Sequence, residues 1–156
     1  MPIALRRFRK DDLATYRAWF ADRETARRIS QPDMAWLRHV TLGSNSGAWV
    51  ATDAGRMLAV MQADRDSDMT AWICVVVAPS ARHRGIGAEA LRAWLNGFGN
   101  RFAVVEVDVE PTNVGGLACA TRCGFVPMSQ EPDHEGFLHL TFTRNAGIPA
   151  PGTEGL

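Results

Sequence analysis

The segment Arg82-His83-Arg84-Gly85-Ile86-Gly87 joins three basic side chains to two glycines, and Ala88, Leu91, Trp94, Leu95 and Phe98 then follow at helical spacing. The first amide N–H groups of a helix have no internal partner, the dipole there favours negative charge, and glycine lets phosphate oxygens approach the backbone. The pattern predicts a site for an organic diphosphate. The competing reading is conformational only: Gly85 and Gly87 shape a tight turn and the arginines are solvated.

Which phosphate ligand the loop suits depends on its surroundings. A Walker A loop is excluded because no Gly-Lys-Ser/Thr follows the glycines. Gly85-Ile86-Gly87-Ala88-Glu89-Ala90 does match the dinucleotide pattern G-x-G-x-x-A, with acids at Glu106 and Asp108 about twenty residues on. In a dinucleotide fold, however, the first glycine follows its strand almost at once, whereas Ala78 to Arg84 intervene here. The chain after Asp108 also has room for only one helix and two strands, too few to complete a doubly wound parallel sheet. A nicotinamide-dependent oxidoreductase is the weaker reading.

The elements that must position the loop follow from periodicity and turn residues. Residues 3–9 alternate as a strand, and Asp11 and Asp12 offer a cap to a helix bearing Leu13, Tyr16 and Phe20. Pro32 and Asp33 precede a second helical stripe of Met34, Leu37 and Val40. Residues 48–52 and 57–62 flank the turn Asp53-Ala54-Gly55-Arg56 as a hairpin. Thr70 to Val77 is nearly all apolar and is expected as a central strand buried on both faces. Residues 102–110 read as a strand, Thr112 or Asn113 opens a short helix that Gly124 stops, and 125–128 and 136–143 form a closing pair. The expected organisation is one domain over 1–144 and a mobile Pro/Gly-rich tail over 145–156.

At 156 residues and 46% hydrophobic, the chain can bury a single core. Its 17 basic and 17 acidic residues cancel, so no overall field favours nucleic acid or an anionic membrane. Lys10 is the only lysine, which argues against Schiff-base chemistry. Cys74, Cys119 and Cys123 have no metal-type spacing, and no metal is expected. They read as reduced thiols, and with no apolar leader or spanning segment the expected location is the cytoplasm.

Val77 through Ala88 resembles the acyl-CoA motif of the GNAT superfamily of N-acetyltransferases, Q/R-x-x-G-x-G/A, which Arg82, Gly85 and Gly87 meet. Leu5 to Leu13 resembles the family's opening strand and helix, and Asn113 with Gly124-Phe125 its second conserved segment. The resemblance implies an α/β fold of the α+β type: a mixed, mostly antiparallel sheet of about six to seven strands with about four helices. It further implies that acetyl-CoA lies along Val75, Val76 and Val77. The amides of His83, Arg84, Gly85, Ile86, Gly87 and Ala88 would hold its pyrophosphate, while Asn113 would bond the pantetheine or support the following helix. For Asn113 a plain helix cap is the alternative.

The implied reaction is direct attack of a primary amine on the thioester, through a tetrahedral oxyanion near the amide of Val76 or Val77. The family's usual tyrosine acid falls at Ala120, and a glutamate used by some relatives falls at Ala71. Glu106, alternating with apolar neighbours together with Asp108 and Glu110, is the candidate base; a solvated or salt-bridged strand face is the alternative. Tyr16, Cys119 and Cys123 are expected as packing residues, and His139 as a packed strand residue. Asp64, Asp66, Asp68, Glu131, Asp133 and Glu135 are expected as ordinary turn residues, or as a rim attracting a cationic amine. Asp22 to Leu37 resembles the branch acting on protein N-termini. Small amines, peptide amines and a homodimer stay open, as does an acyl-CoA-binding module without turnover.

Overall fold

The computed structural model describes residues 2–144; the expected tail and its boundary lie outside them. A seven-stranded sheet runs in the order β1-β2-β3-β4-β5-β7-β6. Its strands are β1 Ala4–Arg7, β2 Ser46–Asp53, β3 Arg56–Arg65, β4 Thr70–Val77, β5 Val104–Val109, β6 Val126–Pro127 and β7 Leu138–Thr143. All pairings are antiparallel except β4 with β5. The helices are α1 Leu13–Ala18, α2 Arg23–Arg28, α3 Met34–Leu42, α4 Ile86–Asn96 and α5 Val114–Arg122. The mixed, mostly antiparallel expectation is met.

Local chemistry explains most boundaries. Ala54 and Gly55 both take positive φ, +51° and +79°, as a tight hairpin between right-twisted strands requires. Asp33 accepts from the Trp36 amide at 2.8 Å and starts α3 after Pro32. Gly124 ends the α5 segment at φ +93°, a backbone region costly to any other L-residue.

Two expectations need correction. Asp12 does not use its side chain to cap α1; it turns back to Arg6 of β1 at 2.7 and 2.8 Å and accepts from the Arg9 amide. Burial beside a fixed guanidinium outweighs the local cap. Phe98, read as part of the α4 stripe, lies beyond the helix end and is 43% exposed. The sequence reading also passed over α2, a six-residue helix capped by Asp22 through the Thr25 amide.

The two sheet faces carry different layers. Trp49 of β2 meets Trp94 of α4 at 5.7 Å, and Trp94 stacks on Phe102 at 6.1 Å. On the opposite face Tyr16 is ringed by Phe8, Trp19, Phe20 and Trp36. Gln62 shows the alternation directly: it bonds the Trp36 indole on one face while its neighbour Met61 is buried toward the other. Among the described residues no helix is long and apolar enough to cross a membrane.

Candidate functional site

The site is built on a fork in the sheet. β4 and β5 pair in parallel only at Thr70↔Val104, Ala71↔Val105 and Trp72↔Glu106, after which they separate. Both strands keep their outer partners, β3 and β7, along their length. The backbone of β4 from Cys74 onward therefore has a hydrogen-bonded neighbour on one side only. Ala78 N–H donates to Leu58 at 2.8 Å, so alternation turns Val76 toward β3 and Val75 and Val77 into the gap. Of the amides at Val76 and Val77, only that of Val77 faces the gap, with that of Val75 one pleat before it.

The basic loop closes one end of this gap. His83 adopts φ +64° and Gly85 φ +75°, and α4 begins at Ile86 with no side-chain cap. The first intrahelical bond of α4 is Glu89 N–H to Gly85, so the amides of Ile86, Gly87 and Ala88 have no helical acceptor. Left-handed residues in this position turn successive amides inward as an anion-binding concavity. A non-glycine residue costs roughly 1–2 kcal/mol in that region, so His83 is held there by its surroundings. Gly87 is needed for packing as well: a Cβ there would sit 3.3 Å from both Cys119 Sγ and Val77 Cγ2.

The loop arginines differ in what they touch. Arg82 donates to Asp22 Oδ2 and to Thr25 Oγ1, each at 2.8 Å, and so ties the loop to the start of α2. This guanidinium holds the Asp22 carboxyl down at about 2, with the Thr25 amide adding to the effect. His83 and Arg84 are exposed at the tip. A third arginine joins Arg82 and Arg84: Arg122, at the end of α5, reaches within 3.8 Å of where a Gly85 Cβ would be. Sequence reasoning missed Arg122, because only the packing of α5 beside α4 brings it to the loop.

Asn113 accepts from the Gly116 amide at 2.9 Å and caps α5. The cap alternative for this residue is thus present in the structure, at the loop that follows β5.

The acidic face of β5 divides unequally. Asp108 bonds His139 Nδ1, and His139 Nε2 lies 2.7 Å from Asp133. Glu110 pairs with Arg28 at 2.9 Å and faces Arg27 at 3.8 Å. Glu106 has no ion-pair or hydrogen-bond partner among the described residues, and it stands at the last β4–β5 pair, where the fork opens. The salt-bridged alternative therefore describes Asp108 and Glu110 but not Glu106. Asp64 and Asp133 are likewise engaged: Asp64 binds His39, Ser46 and Gln62, while Asp133 accepts from the amides of Glu135 and Phe137.

Ala120 and Ala71, the two positions of departure from the family pattern, are both buried. Cys123 is buried with its thiol toward the Ala88 carbonyl at 3.3 Å. The Cys119 thiol is pushed up by its hydrogen bond to Cys123 and by burial, which suits packing and not nucleophilic attack. Cys74 on β4 is pushed up to about 11 by burial and by Asp64.

A parallel pair that parts after three residues, beside a basic loop opening a helix, is a specific arrangement. The sequence profile of the acetyltransferase (GNAT) family matches residues 6–125. The chain belongs to the acetyltransferase (GNAT) family. No curated protein sequence matches it closely enough to count. Solved structures similar to this GNAT chain include AAC(6')-Ib in complex with paromomycin and acetyl-CoA, at 17% identity and TM-score 0.78, covering 92% of this chain and 94% of that one. Mycobacterium smegmatis RimJ with CoA-disulfide is 18% identical at TM-score 0.73, covering 95% and 85%. YncA, a putative acetyltransferase from Salmonella typhimurium with acetyl-CoA, is 16% identical at TM-score 0.74, covering 96% and 98%. At these identities the likeness is one of fold.

Proposed function

We propose that this GNAT chain transfers an acetyl group from acetyl-CoA to a primary amine. The observation that carries the reading is the fork: the inward amides of Val75 and Val77 lead to the unpartnered amides of Ile86, Gly87 and Ala88. A donor-lined slot ending in an anion site fits a long, amide-bearing cofactor with a pyrophosphate. His83, Arg84 and Arg122 would add charge around the phosphates, and Arg82 would hold the loop's shape through Asp22. Support comes also from the similar folds that were solved with acetyl-CoA or CoA bound.

Acetyl-CoA supplies an activated acyl group as a thioester. One inward amide of the fork, that of Val77 or Val75, would donate to its carbonyl, where negative charge develops during attack, and the other would be left to bond the pantetheine arm. Glu106 would take the proton from the incoming ammonium, directly or through water. With alanine at position 120 in place of the usual tyrosine, the thiol of CoA, of pKa near ~8.5, can leave as thiolate. Calorimetric titration with acetyl-CoA tests the first half, and thiol release over an amine panel tests the second. No binding at millimolar acetyl-CoA would overturn the reading. Glu106→Gln should lower kcat at least about tenfold and leave acetyl-CoA affinity within about twofold; an unchanged pH–rate profile would remove Glu106 from the reaction.

A second reading, binding without turnover, is favoured by the buried alanines at 71 and 120. It is separated from the first by the same assay: acetyl-CoA would bind, and no amine would release the thiol.

A further inference from the structure

The face of β4 opposite α4 carries a cavity of ≈ 200 Å³ whose walls include Tyr16, Ile29, Trp36, Gln62, Cys74 and Val76. That volume holds about six waters at roughly 30 Å³ each, or one amino-acid side chain. Cys74 and Val76 alternate with Val75 and Val77, so the cavity and the fork share one stretch of β4. None of its lining residues is charged.

Tyr16 is 4% exposed, yet its hydroxyl makes no hydrogen bond among the described residues and is not sealed from the cavity it lines. Buried tyrosine hydroxyls ordinarily find partners. Four aromatic rings, 5.4 to 6.0 Å from the Tyr16 ring, hold it in place. Burial raises its pKa, so it stays a neutral donor. The other polar groups are largely used: the Trp36 indole donates to Gln62 Oε1 at 2.9 Å, and Gln62 Nε2 donates to Asp64 at 3.0 Å. The cavity therefore offers mainly apolar walls, the exposed Ser30 hydroxyl at its rim and, deep inside, the fixed Tyr16 hydroxyl as an unpartnered donor.

We propose that this cavity takes the uncharged side group of the acceptor amine, with the Tyr16 hydroxyl donating to an oxygen of that group. The proposal rests on the acetyl-transfer reading. It makes the acceptor a primary amine bearing one compact, mainly apolar group with an acceptor atom, such as an amino-acid amide, and not a polycation. Tyr16 then sets specificity; the sequence alone gave it only a place in the core.

The test uses the full chain. Wild type should acetylate methioninamide with kcat/KM at least tenfold above spermidine or kanamycin. Tyr16→Phe should raise the methioninamide KM about 5- to 10-fold, the value of one hydrogen bond, with much less effect on hexylamine, which has no oxygen. Ile29→Trp, which fills the cavity from its rim and keeps Tyr16, should weaken both amines at least tenfold. Acetyl-CoA affinity by calorimetry should be unchanged in both variants. Calorimetric binding of N-acetylmethioninamide, which requires no turnover, should fall in parallel. Unchanged acceptor KM in both variants, or a preference for spermidine, would overturn the proposal while leaving acetyl transfer standing. Failure of wild type to bind acetyl-CoA while still binding N-acetylmethioninamide through Tyr16 would overturn the transfer reading and leave the cavity standing.

Discussion

Arg82 Nη2 lies 2.8 Å from Asp22 Oδ2, across 60 residues of sequence. The first arginine of the phosphate-type loop is thereby spent on α2, and Thr25 shares the same nitrogen. In the fold this side chain is a strut between the Arg82–Gly87 loop and α2. Arg28 and Glu110 make a second strut from the other end of α2 to β5. The helix that the sequence reading passed over is held at both ends by ion pairs.

Removing the first strut should be felt at the loop. Asp22→Asn is expected to raise the dissociation constant for acetyl-CoA several-fold in calorimetry and to lower the melting temperature at neutral pH. Because the folded Asp22 carboxyl titrates at about 2, its stabilising effect is present above the ordinary carboxylate range near ~3.9. It disappears as pH falls through about 2, a loss that Asp22→Asn should lack in acid unfolding.

Gly87 has a packing role that a bulky charged substitution would confuse with phosphate repulsion. Gly87→Ala places its Cβ 3.3 Å from Cys119 Sγ and Val77 Cγ2. It should destabilise the fold by about 1–3 kcal/mol in urea unfolding. Adding Cys119→Ala should recover a large part of that loss, and no recovery would locate the strain elsewhere.

Arg122→Ala offers a cleaner probe of the proposed anion site, since the residue is exposed beside the loop. Its loss should weaken acetyl-CoA binding about 3- to 10-fold and flatten the dependence of affinity on salt. Unchanged affinity at low ionic strength would mean that Arg122 does not reach the phosphates.

His139 couples β7 to β5 and to the 129–137 connection through Asp108 and Asp133, with Trp72 edge-on at 6.1 Å. The hydrogen bond to Asp108 leads in raising its pKa above the ordinary histidine value, with Asp133 adding to it. A raised folded pKa gives stability fully present below the unfolded value near ~6.5 and lost as pH rises through the folded pKa. Wild type should therefore exceed His139→Gln in melting temperature at pH 6 and converge with it in mildly alkaline buffer. A pH-independent difference would show that packing against Trp72, and not charge, is what His139 contributes.

Patterns repeated at short range were legible without coordinates. The two-residue alternation of Val105, Glu106, Val107 and Asp108 set which side chains share a face, and the strand Thr70–Val77 is found with its expected bounds, although only Ala71 and Ile73 of it are buried and burial on both faces is not met. Asp33 caps the backbone amide three residues on, and Gly55 and Gly124 act through their own backbone, so these turns and caps were readable from residue type. The glycines opening α4 marked the place proposed for an anion for the same reason. Asp12 misled because its local option as a cap competes with Arg6, and only burial decides between them.

What the tertiary structure alone decided is the set of relations across long separations. Nothing in the residues of β4 or β5 states that they part after Trp72 and Glu106; the gap lies between two strands that each stay paired on the outer side, β4 with β3 and β5 with β7. Of three carboxylates with the same alternation, two are neutralised by Arg28 and His139, so Glu106 is singled out by its neighbours and not by its type. Tyr16 likewise looks like any aromatic on a helical stripe. Its hydroxyl acquires a use only because four rings fix it over a cavity that β4 completes. Sequence encodes local backbone preference directly, whereas the partner of a polar atom is a property of the packed chain.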